Sequence, residues 1–288
     1  MTEKITKTVR LISPRGFCSG VRSALDAFHR VKQKFSGPVY VLHELVHNNR
    51  VSERMRRDGA VFVDSLDEVP QHGVVLFGAH GVGRNEKKQA ELKQLCVTDA
   101  VCPRVRKLHD AAAALSNDDE LIIFGNPAHP EVQGVAGHAG TEKCFIVSAK
   151  EEIAALPEMS SPLLLCQTTR DHAEIEQFTL LLKQRYPQLR TNGGTCDAVF
   201  RRQTAVEKAM ENADVLLIAG SSHSSNANRM CDIARRLGKT AYLVENADAL
   251  PDLSAFHNIA LGAGASTPDE AVQEILDFLL KTGCRLEE

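Results

Sequence analysis

Short apolar runs recur along this chain and alternate with segments of helical periodicity, and that alternation restricts the fold more than any other feature. The runs VYVL at 39–42, VVLFG at 74–78, LIIFG at 121–125, LLLCQTT at 163–169, VLLIAG at 215–220, AYLVE at 241–245 and NIALGAG at 258–264 are rich in Val, Ile and Leu and end in small or polar residues. Near-continuous apolar runs of this length suit strands buried on both faces. Between many of them, residues 19–35, 85–95, 105–115, 172–185, 198–211, 228–237 and 269–281 carry apolar side chains at helical spacing. Repeated alternation of strand and helix predicts an α/β fold with parallel sheets. No low-complexity linker interrupts the pattern, so any domains must pack intimately.

A weak internal repeat subdivides the chain. Cys18-Ser-Gly-Val, Cys102-Pro-Arg-Val and Cys196-Asp-Ala-Val share the form C-x-x-V, with 84 residues from the first cysteine to the second and 94 from the second to the third. Each opens a predicted helix. A pattern fixed at two positions of four is loose, but similar spacing and a shared helix-start context support a genuine repeat. It predicts three α/β lobes over 18–101, 102–193 and 194–288, joined by an N-terminal strand within 1–17, each lobe presenting one cysteine to a common centre.

Eight cysteines occur without a secretion signal in MTEKITKTVRLIS, which points to a reducing compartment where thiols serve packing, metal binding or catalysis. No segment approaches the roughly 18 apolar residues of a membrane span, so the expected location is the cytoplasm, with no membrane partner. A net charge of −3 and an aromatic content of 5% leave no basic stripe or stacking platform, and nucleic acid is not an expected partner. Cys96, Cys144, Cys166, Cys231 and Cys284 lie in apolar or helix-like contexts and read as small buried hydrophobes. The three C-x-x-V cysteines differ. A thiolate at a helix N-terminus is favoured by the dipole and suited to metal. Three such donors would serve a 4Fe–4S cluster with one open iron, or a zinc site completed by another ligand or water.

A second constellation consists of polar loops after predicted strands: His43-Glu-Leu-Val-His47-Asn48, Gly78-Ala-His80-Gly, Gly125-Asn-Pro-Ala-His129-Pro-Glu131, Gln167-Thr168-Thr169, Gly220-Ser-Ser-His-Ser224-Ser225-Asn226 and Gly262-Ala-Gly-Ala-Ser266. Parallel α/β sheets bind ligands at the carboxyl ends of their strands, where such loops gather. Ser224-Ser225-Asn226 before a helix has the form of an anion site, although plain helix capping by Ser or Asn is the better explanation of one such loop taken alone. Histidines on three strand-end loops can together bind phosphate, as neutral donors or as cations. Glu131 is the best candidate for proton delivery, because a carboxyl group in a closed site can act as an acid near neutrality. No G-x-x-x-x-G-K-[ST] or G-x-G-x-x-G occurs, so an ordinary nucleotide pocket is not expected.

Taken together, Arg15-Gly-Phe-Cys18-Ser-Gly-Val, His43-Glu-Leu-Val-His47-Asn, Ala79-His80-Gly-Val, Asp99-Ala-Val-Cys102-Pro, His129-Pro-Glu131-Val, Gln167-Thr168-Thr169, Ser224-Ser225-Asn226 and Gly264-Ala-Ser266 resemble the motifs of the 4-hydroxy-3-methylbut-2-enyl diphosphate reductase family, in the family's order and over nearly the whole chain. That resemblance implies a three-lobed, trefoil-like α/β fold around a central cluster cavity. It implies that Cys18, Cys102 and Cys196 bind a 4Fe–4S cluster with one iron site open. It further implies that His47, His80, His129, Ser224, Ser225, Asn226 and Ser266 hold the substrate diphosphate, and that Glu131 and Thr168 relay protons. The implied reaction, the last of the non-mevalonate isoprenoid route, yields isopentenyl and dimethylallyl diphosphate with electrons from ferredoxin or flavodoxin.

The sequence departs from the family pattern in a few places. Val199 stands where threonine typically contacts the diphosphate, Asn192-Gly-Gly-Thr precedes Cys196 in place of the usual approach, Gly83 replaces a common serine, and Asn126 follows Gly125 where histidine is frequent. Two further readings therefore accompany the first: a diverged paralogue that keeps the cluster but reduces another allylic or phosphorylated substrate, and an iron–sulfur sensor. Retention of both Glu131 and Thr168 speaks against a sensor, which needs no proton relay.

Overall fold

All seven apolar runs are strands in the computed structural model, which describes residues 7–287. The first part of the chain runs β1 (Thr8–Leu11), α1 (Ser19–Lys34), β2 (Val39–Leu42), α2 (Asn49–Arg57), β3 (Ala60–Val63), β4 (Val74–Phe77), α3 (Arg84–Leu92) and β5 (Cys96–Asp99). The middle continues with α4 (Pro103–Ala113), β6 (Leu121–Phe124), α5 (Pro130–Ala136), β7 (Cys144–Val147), β8 (Leu163–Cys166), α6 (His172–Arg185) and β9 (Arg190–Thr191). The last part is α7 (Asp197–Ala209), β10 (Val215–Ala219), α8 (Ser225–Arg236), β11 (Thr240–Val244), β12 (Asn258–Ala263), α9 (Asp269–Lys281) and β13 (Arg285–Glu287). Of the expected N-terminal strand, β1 is formed; residues 1–6 lie outside the described residues.

The strands make three sheets with one recurring order. One sheet is β3-β2-β4-β5, a second is β7-β6-β8-β9, and a third is β11-β10-β12-β1-β13, all paired in parallel. Counting strands within each set, both four-stranded sheets run second-first-third-fourth, and β11-β10-β12 repeats the first three places in the third sheet. Its fourth place is taken by β1, from the other end of the chain. Consequently β5, β9 and β1 hold equivalent positions, and each leads to one C-x-x-V cysteine and then a helix: Cys102 and α4, Cys196 and α7, Cys18 and α1. The loose sequence repeat marks this recurring place in the topology.

The chain divides into two compact units. The central unit comprises Ser19–Val46 and Arg50–Cys196 and carries the two four-stranded sheets; the terminal unit comprises the described residues up to Cys18, His47–Asn49 and the chain from Asp197 onward, and carries the third. Within the terminal unit, side chains alternate across the sheet as a two-residue period requires. Leu216 and Ile218 pack with Met230, Ile233 and Ala234 of α8, while Val215, Leu217 and Ala219 pack with Ile275, Leu276 and Leu279 of α9. Burial on both faces explains the unbroken VLLIA run, and each fully buried branched side chain contributes about 1.5–3 kcal/mol. In the central unit, Ile122 and Phe124 face Phe178 and Leu182 of α6, and Leu121 and Ile123 face Leu108 and Ala112 of α4.

Sequence patterning misses the short edge strands and two helices, α2 and α5. β3, β5, β7 and β9 lie at or next to sheet edges, and β5 exposes Cys96 and Val97, so no continuous apolar run announces it. Here one expectation is overturned and another is met only in part: Cys96 is exposed rather than buried, because it opens an edge strand paired with β4 alone, and Cys144 and Cys284 are half-buried, whereas Cys166 and Cys231 are buried as expected. Helix α2 has three basic residues in its last turn and buries only Val51, Ser52 and Met55, too narrow a stripe to register as periodicity. Helix α3 stops at Leu92, three residues earlier than the spacing predicts, where Gln94 enters the left-handed region at φ 52° and turns the chain toward β5.

Candidate functional site

Every candidate ligand, substrate-binding and proton-relay residue lies on a segment that follows the carboxyl end of a parallel strand, which is where α/β sheets place their ligand-binding groups. In the central unit, neighbouring strands β4 and β5 set the His80 loop beside the Cys102 loop. The Cys102 amide donates to the Ala79 carbonyl at 3.0 Å, and Asp99 accepts from the Val101 amide at 3.1 Å, which shapes the turn into the cysteine. Burial alone would raise the Asp99 carboxyl, but the Val101 amide, Lys87 and Arg106 together hold it below the usual carboxylate range. Lys87 and Arg106 approach at 3.4 and 3.1 Å.

The adjacent strands β6 and β8 bring together the predicted proton relay. Glu131 is 2% exposed, its Oε1 accepts from the Thr168 amide at 2.6 Å, and its Oε2 accepts from the Thr168 hydroxyl at 2.8 Å. The Thr168 carbonyl in turn accepts from the Cys196 amide at 2.9 Å, so the Glu131–Thr168 pair and one candidate cysteine are fixed through a single residue. His129 caps α5, with its Nδ1 accepting from the Glu131 amide at 3.1 Å. An imidazole that accepts at Nδ1 is neutral and carries its proton on Nε2. His129 is therefore neutral in this arrangement, with its N–H on Nε2. The rings of His80 and His129 meet edge to face, 5.4 Å between centroids.

In the terminal unit, β10, β12 and β1 are consecutive neighbours, and their loops are tied to one another. The Gly264 amide and the Thr267 hydroxyl both donate to the Ala219 carbonyl, at 2.9 and 2.8 Å. The Cys18 amide donates to the Ala265 carbonyl at 3.0 Å, and the Ser266 hydroxyl donates to the His47 carbonyl at 3.0 Å. Ser224 caps α8, its hydroxyl oxygen accepting from the Ala227 amide at 3.4 Å, so the capping expectation holds for this residue. Capping occupies the oxygen as acceptor and leaves the hydroxyl able to donate. Asn226 is 4% exposed, and neither its amide nitrogen nor its oxygen finds a hydrogen-bond partner among the described residues. A buried amide at the first turn of a twelve-residue helix, beside Ser224 and Ser225, fits an anion held by the dipole and by side-chain donors. Val199 is 5% exposed within α7 and offers no hydrogen bond from its side chain.

The thiols separate into two chemical groups. Burial pushes Cys166 and Cys231 up to about 12 and Cys144 up to about 11, so these remain protonated and are poor ligands. Cys18, Cys102 and Cys196 are half-buried, and each directly precedes a helix of eleven residues or more. Soft sulfur donors so placed suit an iron–sulfur cluster.

Sequence reasoning assigns no role to Gln167 or His109, which the structure places beside these groups. Gln167 is 4% exposed; its Oε1 accepts from the Asn126 amide at 3.0 Å, which joins the loops that carry Glu131 and Thr168, and its Nε2 donates to the Thr169 hydroxyl at 3.1 Å within its own loop. Its place in the motif was the available signal. His109, on α4, stacks on His138 at 4.1 Å between centroids. It lies so close under the His80 loop that a Cβ at Gly81 (φ 73°) would come within 2.4 Å of its ring. Nothing in its sequence neighbourhood marks it, because its partners come from other elements.

Proteins similar to this chain in sequence are named as reductases, and so is a solved structure that shares its fold. A 4-hydroxy-3-methylbut-2-enyl diphosphate reductase of Ralstonia nicotianae is 38% identical over 284 residues, covering 96% of this chain and 87% of that protein. One of Acidithiobacillus ferrooxidans is 36% identical over 287 residues, covering 97% and 91%. Among solved structures, the E-1-hydroxy-2-methyl-but-2-enyl-4-diphosphate reductase of Plasmodium falciparum matches with a TM-score of 0.94 and 30% identity, over 98% of this chain and 91% of that one. The family described as LytB protein matches residues 9–280, and relatives of this kind are known for a 4Fe–4S cluster. With its three parallel α/β sheets and its strand-end cysteines, histidines and buried carboxyl, this chain belongs to the LytB protein family.

Proposed function

We propose that the protein is a 4Fe–4S-dependent reductase that removes the hydroxyl group of 4-hydroxy-3-methylbut-2-enyl diphosphate to give isopentenyl and dimethylallyl diphosphate. The observation that carries this reading is the buried Glu131–Thr168 pair, hydrogen-bonded at both carboxylate oxygens and joined through the Thr168 carbonyl to the Cys196 turn. A sensor needs no acid there; a reaction that expels hydroxide does. In this reading Cys18, Cys102 and Cys196 hold the cluster, and one iron site stays open. When bound, such a cluster supplies two electrons one at a time, together with a Lewis acid for the leaving oxygen. Overall, two electrons and two protons convert the allylic alcohol to an alkene and water.

The chain's own residues bind, orient and protonate. Glu131 delivers a proton to the departing oxygen, and Thr168 orders its carboxyl group and extends it by one hydroxyl. His129, protonated on Nε2, donates to diphosphate oxygens, with His80 and His47 completing the histidine set. Ser224, Ser225, Asn226 and Ser266 supply neutral donors around the same anion, so affinity comes from many preorganised hydrogen bonds rather than from one cation. The electron donor is a small carrier, ferredoxin or flavodoxin, in the cytoplasm. Lobes at 18–101, 102–193 and 194–288 remain our division of the chain.

Val199 favours a second reading, in which a diverged paralogue keeps the cluster and acid but takes another allylic or phosphorylated substrate. A side chain without a donor forfeits one hydrogen bond to a charged group, on the order of 1.5–3 kcal/mol. An anaerobic assay of reconstituted protein with 4-hydroxy-3-methylbut-2-enyl diphosphate and a strong chemical reductant decides between them. Formation of both isomeric products supports the first reading; a loaded cluster that leaves this substrate untouched overturns it in favour of the second.

A further inference from the structure

Arg202 is a long cationic side chain on α7, yet it is 4% exposed, a burial that is uncommon for arginine unless its donors are spoken for. Its two terminal nitrogens reach backbone oxygens on different segments: Nη1 donates to the Ala198 carbonyl at 2.8 Å and Nη2 to the Gly16 carbonyl at 2.7 Å. Ala198 lies two residues after Cys196, and Gly16 two residues before Cys18. One rigid guanidinium therefore ties the first turn of α7, which Cys196 directly precedes, to the loop that leads into Cys18. Gly16 itself is held in a conformation that favours glycine, at φ 73°, and a Cβ there would come within 2.5 Å of the Asp269 carboxylate. The loop before Cys18 is thus pinned on one side by α7 and crowded on the other by the first residue of α9.

We propose that Arg202 is a positioning residue for the cluster: it fixes the loop before Cys18 against the first turn of α7, which Cys196 directly precedes, and puts a buried positive charge at the junction from which these thiolates extend. This rests on the reading that those cysteines bind a 4Fe–4S cluster. Arginine suits the task because its fork spans two carbonyls with separate nitrogens, whereas lysine offers a single point of contact. Groups one step beyond the ligands commonly govern both how firmly a metal is held and its potential.

The test compares Arg202→Lys, Arg202→Met and the solvent-exposed neighbour Arg201→Met, each reconstituted anaerobically alongside the unaltered protein. Three quantities are read: the rate of iron loss to a chelator, the reduction potential, and the electron paramagnetic resonance signal of the reduced cluster. The expected result is iron loss roughly 10–100-fold faster in both Arg202 variants, in line with the removal of groups that orient metal ligands. The potential should fall further in Arg202→Met than in Arg202→Lys, since only the former deletes the charge, and Arg201→Met should match the unaltered protein. If both Arg202 variants keep the unaltered release rate, potential and signal, the inference is overturned while the cluster reading stands. If the unaltered protein takes up no 4Fe–4S cluster, the reading beneath it fails instead. Should Arg202→Met not fold, as judged by circular dichroism, Arg202→Lys decides by its release rate and signal, because it retains the charge and loses one of the two carbonyl contacts.

Discussion

Replacing Glu131 with glutamine separates what the carboxyl group does in the chemistry from what it does in the fold. Both carboxylate oxygens are used, accepting from the Thr168 amide at 2.6 Å and the Thr168 hydroxyl at 2.8 Å, in a side chain 2% exposed. In Glu131→Gln the remaining oxygen can face the amide, while the new NH2 group donates to the Thr168 hydroxyl, which turns from donor to acceptor. Neither partner is stranded. A hydrogen bond to a charged group contributes about 1.5–3 kcal/mol and a neutral one about 0.5–1.5 kcal/mol, so two downgraded bonds cost about 2–3 kcal/mol before the cheaper burial of a neutral amide is counted. The net loss of stability should be on the order of 1 kcal/mol. Turnover, by contrast, should fall about 10²–10⁴-fold, the usual weight of a positioned proton donor. Denaturant midpoints of both proteins measure the first quantity, and product formation by anaerobic single turnover, with cluster absorbance as a loading control, measures the second. A fully loaded Glu131→Gln protein with undiminished turnover would refute the proton role; a loss of stability well above 3 kcal/mol would refute the exchange of hydrogen-bond roles.

Two other outcomes follow from the same structure. Serine at position 18, 102 or 196 should abolish activity and lower bound iron and sulfide, whereas Cys231→Ser, at a buried thiol pushed up to about 12, should alter stability but leave iron content unchanged; full iron, sulfide and activity in Cys18→Ser would show the ligand set to be wrong. His109 is held down to about 3, from 6.5, by burial first and then by His138, Lys87 and Arg106, against a smaller opposite effect of Asp99. Because this histidine stays neutral in the folded chain and charges on unfolding, its contribution is complete above pH 6.5 and is lost as pH falls toward about 3. The slope should approach 1.4 kcal/mol per pH unit in that window. Urea titrations across it should show a slope that Arg201→Met retains and His109→Gln flattens; an unchanged slope in His109→Gln would remove His109 as its source.

Much of this protein is determined by residues whose meaning is local. Apolar runs such as VLLIA at β10 become strands because burial on both faces leaves no polar position in the pattern, and α6 and α9 begin and end where their periodicity says. Ser224 at the start of α8 and the cysteines before α1, α4 and α7 are likewise legible, since a helix start is read from a few adjacent residues. The tertiary structure alone decides what depends on partners far away in the chain. Exposure of Cys96 follows from its strand lying at an edge, the neutral state of His129 follows from the Glu131 amide at its Nδ1, and the pairing of Glu131 with Thr168 joins loops 37 residues apart. Arg202 is the extreme case: in sequence it is one of two adjacent arginines on a helix, and only the fold places it against a carbonyl 186 residues away while Arg201 remains in solvent. Periodicity reports which face of an element is buried. It does not report what waits on the other side.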